Sequence, residues 1–284
     1  MERISFSVLR GICQIPAYVA HTEGFLREEG IDSQMHVEPT AWMVPRKFES
    51  GECDFAVIPW TRVATSTESK TPLVCLCGSG HEEAALVVRA GLELSEVRKV
   101  AVPLRGGMKD LTAMALIESL GLRDPELVRQ PSGDGAIISL FARGADAASM
   151  VEPYATAMEQ LGVGTIVRRT GDVWKGAPGC SLCCARSRME ENPDLAQRVV
   201  NAFVRGASFV EERPDEAAAI AARFIGIDTG FIRKALDRNR PEVTAIRNAH
   251  AVEEILGLMR RLGYMKAQPG DIFEFGFLEQ ALVR

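Results

Sequence analysis

The sequence has little of what marks membrane-spanning or nucleic-acid-binding proteins. No stretch of its 284 residues approaches the ~20 apolar residues that a membrane span needs. Its longest basic runs are two pairs, Arg168-Arg169 and Arg260-Arg261, and the net charge is −5. We therefore expect no membrane span and no nucleic-acid partner. The fractions of hydrophobic (46%) and charged residues (25%) are typical of a soluble globular protein.

The amino-terminus lacks the pattern of a secretory signal. Met1-Glu2-Arg3 leads directly into an alternating run at 4–9, with no basic region, apolar segment or small-residue cleavage site. The seven cysteines form an odd, unevenly spaced set, which fits a reducing compartment better than a disulfide framework. These features predict a cytoplasmic protein. The alternative is a periplasmic or lipid-anchored protein whose signal sequence has been removed.

What the sequence does contain is one phrase that occurs twice, FESGECDFAVIPW at 48–60 and FARGADAASMVEPY at 141–154. Each copy predicts the end of a helix, a turn with an Asp, an apolar strand, and then Pro with an aromatic residue. In open α/β sheets, ligands bind beyond the carboxyl ends of the strands. Two such edges that face each other would form a cleft for a small molecule.

Strands and helices alternate through most of the chain. The predicted strands are 4–9, 33–37, 55–58, 73–76, 99–103, 128–130, 147–151 and 165–169. The predicted helices are 17–29, 44–50, 109–120, 136–143, 192–210, 214–224, 232–235, 251–262 and 277–282. The alternation predicts an α/β protein with parallel sheets and crossover helices. The residues from about 190 onward form an all-helical tail that we expect to pack on the first half.

Eight short motifs occur in an order that resembles a known superfamily. They are Pro16-Ala17-Tyr18-Val19-Ala20, Glu23-Gly24-Phe25-Leu26, Glu29-Gly30-Ile31, Gly51-Glu52-Cys53-Asp54-Phe55, Val100-Ala101-Val102-Pro103, Gly144-Ala145-Asp146, Glu152-Pro153 and Glu191-Asn192-Pro193-Asp194. Together they resemble the type II periplasmic-binding-protein superfamily, in its nitrate/sulfonate/taurine and thiamine-pyrimidine branch. The resemblance implies two Rossmann-like lobes with a two-stranded hinge, closing on a small molecule, and a helical C-terminal extension.

The same resemblance implies domain boundaries and ligand loops. The first lobe would take 1–80 plus 186–284, the second 87–179, and the hinge would lie near 76–86 and 179–185. The implied ligand loops are 11–16, 40–42, 59–61, 105–108, 132–135 and 152–154. The ligand residues expected from these loops are Gly11, Cys13, Gln14, Trp42, Trp60, Thr61, Arg105, Gly106, Gly107, Met108, Ser132, Glu152 and Tyr154.

The residue types in these loops suggest how a ligand would be held. Arg105-Gly106-Gly107 precedes a predicted helix, a pattern typical of either an anion site or a plain tight turn. Trp42, Trp60 and Tyr154 are candidates for packing on the ligand body, although Trp60 equally fits the core beneath its loop. Glu152 would either pair with a cationic ligand group or close a hinge hydrogen bond.

Cysteine chemistry supplies an alternative, enzymatic hypothesis. Cys13-Gln14-Ile15-Pro16 is similar to a Cys-x-Val-Pro segment of the aromatic sulfinate desulfinase, which implies Cys13 as a nucleophile in carbon–sulfur chemistry. A reactive thiolate needs a cationic neighbour, for which Arg10, Arg46 and Arg105 are candidates. The chain departs from that family, because Pro45-Arg46-Lys47-Phe48 stands where its Arg-x-Gly-Gly segment would be, and no catalytic His is evident.

Two cysteine clusters raise a metal or redox role as a third hypothesis. Cys180, Cys183 and Cys184 form one cluster, and Cys75 and Cys77 with His81 form the other. Successive residues of a strand point to opposite faces, so Cys183 and Cys184 would not face the same site, and we expect Cys75 to be a core residue. The pyrimidine synthases of this branch are a poor match, because Ile58 and Arg62 stand near the places of their Lys and His.

The prediction for the whole chain is therefore a binding protein. We expect it to bind a small organic ligand, anionic or heterocyclic, as a solute-binding protein, carrier or sensor. No complete Walker or dinucleotide motif is present, and we expect no cofactor and no metal. An ABC transporter permease would be a partner if the protein is exported.

Overall fold

The computed structural model describes residues 1–105, 107–130, 133–266 and 268–283, with the side chains of residues 133 and 134 left out. Over this part of the chain the strands are β1 Glu2–Val8, β2 Ile31–Val37, β3 Phe55–Pro59, β4 Leu73–Gly78, β5 Ala84–Arg89, β6 Lys99–Pro103, β7 Glu126–Gln130, β8 Ala147–Val151, β9 Gly164–Arg169 and β10 Cys180–Ala185. The α-helices are α1 Ile15–Thr22, α2 Phe25–Glu28, α3 Val44–Glu49, α4 Trp60–Ser66, α5 Met108–Ser119, α6 Gly133–Phe141, α7 Tyr154–Gln160, α8 Arg186–Glu191, α9 Pro193–Glu212, α10 Pro214–Ile225, α11 Thr229–Leu236, α12 Ala249–Arg261 and α13 Phe275–Leu282.

The strands form two five-stranded sheets with the same plan. Their orders are β2-β1-β3-β10-β4 and β7-β6-β8-β5-β9. The first three strands of each order are parallel, whereas β10 is antiparallel to β3 and β4, and β5 is antiparallel to β8 and β9. The parallel pairing expected from the alternation is found in the first three strands of each order, and β10 and β5 make the sheets mixed. The reason is that β5 and β10 each enter a sheet directly from the other one, and so run against its crossover strands.

Both copies of the repeated phrase form a helix, a turn and a strand. The carboxylate of Asp54 accepts a hydrogen bond from the Ser5 amide (2.8 Å), which lies on the parallel neighbour β1. Asp146 accepts from the amides of Arg98 (2.9 Å) and Lys99 (3.0 Å) at the start of its own neighbour, β6. Each Asp therefore ties its turn to the adjacent parallel strand, which makes it a structural residue.

Two predicted boundaries differ from the structure for local reasons. The single helix predicted at 17–29 is divided into α1 and α2, because Gly24 between them has a φ of +80°. The predicted loops at 59–61 and 152–154 instead contain the first turns of α4 and α7. Proline fixes φ and lacks an amide hydrogen, so Pro59 and Pro153 are suited to precede a helix directly.

The helical tail packs mainly on the helices and strands of the first sheet. Asn192 caps α9 by accepting from the Leu195 amide (3.0 Å), and α9 contacts α1 and α13. The tail also reaches the second sheet, where α11 contacts α7 and α12 contacts α5. Arg238 forms an ion pair with Glu159 of α7 at 3.0 Å. Among the described residues, no helix combines the length and apolarity of a membrane span.

Candidate functional site

A cavity that opens to solvent lies between the two sheets. Its walls come from the residues that directly follow β1, β2 and β3 of the first sheet and β6 and β8 of the second. It is therefore located at the carboxyl ends of the parallel strands of both sheets, where ligands bind in open α/β folds. Its floor is formed by Glu83, in the segment that joins the sheets before β5, and by Cys180, the first residue of β10.

About half of the predicted ligand residues lie on the wall of this cavity. These are Gly11, Cys13, Gln14, Trp42, Gly107, Met108 and Tyr154. Trp60, Thr61, Arg105 and Glu152 are not part of the wall. Gly106 and Ser132 lie outside the described residues, so their prediction is not addressed by the structure.

Trp60, Thr61 and Glu152 are buried structural residues beneath the cavity. The indole of Trp60 is fully buried and donates to the Pro178 carbonyl (3.0 Å). Thr61 is likewise fully buried in α4. The Glu152 carboxylate is buried, forms an ion pair with Arg169 (2.6 Å), and accepts from the Thr156 amide in the first turn of α7 (3.0 Å). Trp60 and Glu152 are held by these partners, whereas the buried hydroxyl of Thr61 has no hydrogen-bond partner among the described residues.

Arg62, rather than the predicted Arg105, presents a guanidinium group to the cavity. Arg105 is exposed, and its carbonyl accepts a hydrogen bond from Arg62 Nη2 at 2.7 Å. The Nε of Arg62 is buried and has no hydrogen-bond partner within the described ranges. Burial lowers the pKa of the Arg62 guanidinium, and nearby Asp110 opposes this effect.

The polar groups of the cavity leave an excess of positive charge. Arg10, Arg62 and Lys109 line it together with the carboxyl groups of Glu38 and Glu83. Glu38 is already bound to Lys47 at 2.5 Å. Burial raises the pKa of Glu83, which favours its neutral form, although nearby Lys109 acts in the opposite direction. The cavity is therefore suited to a ligand with an anionic group.

Apolar and aromatic side chains make up the rest of the walls. Leu9, Pro39, Ala41 and Trp42 come from the first half of the chain, and Pro103, Leu104, Met108, Val151 and Tyr154 from the second. Trp42 is 46% exposed, and the guanidinium carbon of Arg46 lies 5.1 Å from its ring centroid. Apolar walls with a few polar groups are typical of small-molecule sites.

The floor of the cavity holds a cluster of two thiols and a carboxyl group. Sγ of Cys13, Sγ of Cys180 and a carboxylate oxygen of Glu83 all lie within 4.8 Å of one another. Gln14 fixes the turn beside them, because its Oε1 accepts from the Leu9 amide (3.0 Å) and its Nε2 lies 3.1 Å from Cys13 Sγ.

Burial has the largest influence on the Cys13 thiol. Burial raises the pKa of the Cys13 thiol, and the groups that act on it besides are Cys180, Glu83 and Gln14. None of them is the cation that the enzymatic hypothesis requires. Of the three candidate cations, Arg10 lines the same cavity as Cys13, Arg46 lies over Trp42, and Arg105 is exposed. The raised pKa favours the thiol form of Cys13 over the thiolate.

The two predicted cysteine clusters do not form a site together. Cys75 and Cys77 lie on β4, Cys183 and Cys184 on β10, and all four thiols are buried in the core. Cys183 is paired in register with Cys75 across the two strands, as core residues of one sheet are. Within the described residues, the thiols that reach the cavity are Cys13 and Cys180. Cys180 belongs to one of the two clusters, and Cys13 to neither.

The wall residues Thr40, Ala41 and Pro59 lie in the predicted ligand loops 40–42 and 59–61. Several others were not among the expected ligand residues: Leu9, Arg10, Glu38, Pro39, Arg62, Glu83, Pro103, Leu104, Lys109, Val151 and Cys180. Many of them lie at the last residue of a strand or within two residues of it. Extending each predicted strand end by two residues would have found them. Glu83 and Cys180 carry no such signal, because their position depends on how the chain crosses between the sheets.

Comparison with known proteins agrees with this architecture. The profile of the NMT1-like family matches residues 2–226. Among similar solved structures, the zinc-bound ligand-binding component of an ABC-type import system from Staphylococcus aureus has a TM-score of 0.87 at 16% identity, over 99% of each chain.

Two further structures are proteins named for their ligands. The periplasmic nitrate-binding protein NrtA from Synechocystis PCC 6803 has a TM-score of 0.83 at 15% identity, over 100% of this chain and 89% of that one. The periplasmic aliphatic sulphonate-binding protein SsuA from Escherichia coli has a TM-score of 0.77 at 16% identity, over 96% of each. At such identities the likeness establishes the fold. The predicted superfamily and the two-lobed α/β fold with a helical C-terminal region are confirmed.

Proposed function

This chain belongs to the NMT1-like family, and from that premise we propose that it is a solute-binding protein that closes its two lobes on a small organic anion. The observation that carries the proposal is the cavity between the sheets, with three cationic side chains set among apolar and aromatic walls. The similar structures named for nitrate, for aliphatic sulphonate and for an ABC-type import system support the same class of function.

Within this site, the anionic group of the ligand would be held by Arg62 of α4 and by Lys109 in the first turn of α5. Gly107, which precedes that 12-residue helix, lines the cavity as well. Backbone amides and the positive end of a helix dipole favour an anion at such a position. The ligand body would pack against Trp42, Met108 and Tyr154. These surfaces fit an aliphatic or a planar heterocyclic body, and the shared requirement is the negative group.

The lobe boundaries are also part of the proposal. The chain crosses between the sheets at 79–83 and again at 170–179, and both segments fall within or beside the proposed hinges at 76–86 and 179–185. The two sheets support lobes built from 1–80 with 186–284 and from 87–179. Closure about these crossings would bring Trp42 and Tyr154 toward each other across the ligand.

The location and the transport partner follow from the same class of proteins. Two of the similar structures are periplasmic by name, which supports the exported alternative rather than the predicted cytoplasmic location. An exported protein of this kind would deliver its ligand to an ABC transporter permease. Fractionation of cells that express the native gene distinguishes the two locations.

A ligand screen with two matched variants tests the function. Sulfonates, nitrate, pyrimidines and aromatic acids are tested by thermal shift, since a ligand at about 100 times its dissociation constant stabilises the folded state by about 2.7 kcal/mol. For the ligand found, we expect Arg62→Ala to weaken binding at least tenfold, or about 1.4 kcal/mol, as measured by calorimetry. Arg105→Ala is the control, because it keeps the carbonyl that Arg62 contacts and removes only an exposed guanidinium group.

Either of two results would contradict the proposal. One is the absence of any shift with every compound of the panel at millimolar concentration. The other is a ligand that binds Arg62→Ala as tightly as the wild type, or that loses as much affinity in Arg105→Ala.

A further inference from the structure

The cluster on the cavity floor has the composition of a metal site. We propose that Cys13, Cys180 and Glu83 bind a zinc ion, with the fourth coordination position open toward the cavity. The proposal concerns the metal alone and does not rest on the proposed binding of an organic anion.

The distances between the three donor groups suit tetrahedral zinc. Zinc binds sulfur at about 2.3 Å and carboxylate oxygen at about 2.0–2.2 Å, so neighbouring donors in a tetrahedron lie roughly 3.5–3.8 Å apart. The two sulfur atoms and the Glu83 oxygen already lie within 4.8 Å of one another. Movements of about an ångström, within the range of side-chain rotation, would complete the geometry.

Glu83 places a buried carboxyl group at the floor of the cavity, and one of its oxygens is able to bind a cation. Its side chain is 4% exposed, and its Oε2 has no hydrogen-bond partner in the part of the chain that the structure describes. Gly80 and Gly179 leave the space that it occupies. A Cβ at Gly80 would lie 2.7 Å from Glu83 Oε2, and a Cβ at Gly179 would overlap Oε1. A buried polar atom without a partner calls for an explanation, and a bound cation supplies one.

The donor set selects zinc-like ions over the hard cations. Calcium and magnesium prefer oxygen ligands alone, whereas zinc accepts thiolate and carboxylate together. Two thiolates and a carboxylate together with a divalent ion give a complex with one net negative charge. The nearby ammonium group of Lys109 favours the ionised form of the Glu83 carboxyl group. All three donors line the cavity, so water or an anion from the cavity would take the fourth position.

Cobalt and zinc titrations of the full chain test the site. The protein is reduced, treated with a chelator and shown to contain seven free thiols before metal is added. We expect one equivalent of Co²⁺ to produce a thiolate-to-cobalt absorption band, which one equivalent of Zn²⁺ abolishes. Cys13→Ser, Cys180→Ser and Glu83→Gln should each weaken zinc affinity at least tenfold.

Cys53→Ser is the matched control for the loss of a buried thiol. Cys53 lies outside the cavity, and its Sγ donates to the Phe55 carbonyl (3.1 Å), a bond that a serine hydroxyl preserves. Its zinc affinity should equal that of the wild type. Circular dichroism shows whether each variant is folded.

A second measurement on the wild type avoids dependence on the folding of variants. The three donors come together only in the folded chain, so zinc should raise the urea midpoint of the metal-free wild type. Three results would overturn the proposal: no thiolate-to-cobalt band, no change of the urea midpoint at saturating zinc, or equal losses of affinity in Cys53→Ser and Cys13→Ser. A Cys13–Cys180 disulfide that forms in the presence of zinc would also overturn it, in favour of a redox pair.

Discussion

Substitution of Glu152 separates a structural role for this residue from a ligand-binding one. Its carboxylate is fully buried, forms an ion pair with Arg169 at 2.6 Å and accepts from the Thr156 amide at 3.0 Å. Its backbone also joins the halves of the chain, because its carbonyl accepts from the Ile12 amide (3.1 Å) and its amide donates to the Glu83 carbonyl (3.0 Å). The side chain therefore stabilises α7 and the strand end beside the cavity.

The expected loss of stability follows from the burial of the pair. Removal of one partner of a fully buried ion pair costs about 3–5 kcal/mol. The Arg169 side chain is 25% exposed and can turn partly toward water, so for Glu152→Ala we expect about 2–4 kcal/mol, including the lost hydrogen bond to Thr156. Glu152→Gln keeps an acceptor for only one of the two partners, since Arg169 and Thr156 donate to different oxygens of Glu152, and we expect about 1–3 kcal/mol.

The assay is urea unfolding followed by circular dichroism, with ligand affinity measured in parallel. Glu159→Gln is the control, because its pair with Arg238 (3.0 Å) is solvent-exposed and should contribute less than about 1 kcal/mol. The urea midpoints are compared between variants whose unfolding curves have the same slope. A shift of the midpoint then reports a change in the free energy of unfolding. If Glu152→Gln were as stable as the wild type but lost ligand affinity, the structural assignment of Glu152 would be refuted.

Two further perturbations test the packing beneath the cavity and the repeated turns. Gly179→Ala places a Cβ against the Glu83 carboxylate and should lower the free energy of unfolding in urea by about 1–3 kcal/mol. Gly270→Ala is the control, because its Cβ would meet nothing within 4 Å. Equal stability of the two variants would contradict the packing argument. Burial would raise the pKa of Asp146, but hydrogen bonds from Arg98, Lys99 and Arg89 outweigh it and hold the pKa below the usual 3.8. Its contribution to stability is therefore full above the unfolded-state pKa and is lost as the pH falls through the lowered folded-state pKa. We expect the stability advantage of the wild type over Asp146→Asn to shrink below about pH 4, and a pH-independent advantage would show that the charge is not involved.

The fold class and most of the elements could be predicted because their signals are local. Apolar runs bounded by turn residues define β3, β6 and β8 almost to the residue. Pro193 after Asn192 marks the start of α9 in the same way. The exceptions are β5 and β10, which were interpreted as hinge segments. Their sequences are typical of strands, but nothing in them indicates that they join the sheet of the opposite half.

The candidate site was predictable only as far as strand ends determine it. Gly11, Trp42, Met108 and Tyr154 line the cavity because loops at the carboxyl ends of parallel strands converge there. Trp60 and Arg105 belong to the same predicted loops and yet lie outside the wall. Helix α4 begins at Trp60 and turns the indole into the core, and Arg62, two residues later, takes the cavity position.

The sequence by itself determined that this protein has two similar α/β halves with facing strand ends, since its repeated phrase encodes a helix, an Asp-stabilised turn and a strand in each half. Only the tertiary structure decided which polar groups meet in the cavity. The crossing of the chain between the sheets brings Glu83 and Cys180 to Cys13, from positions 70 or more residues apart from it. Such long-range contacts depend on topology, which local propensity and periodicity do not specify.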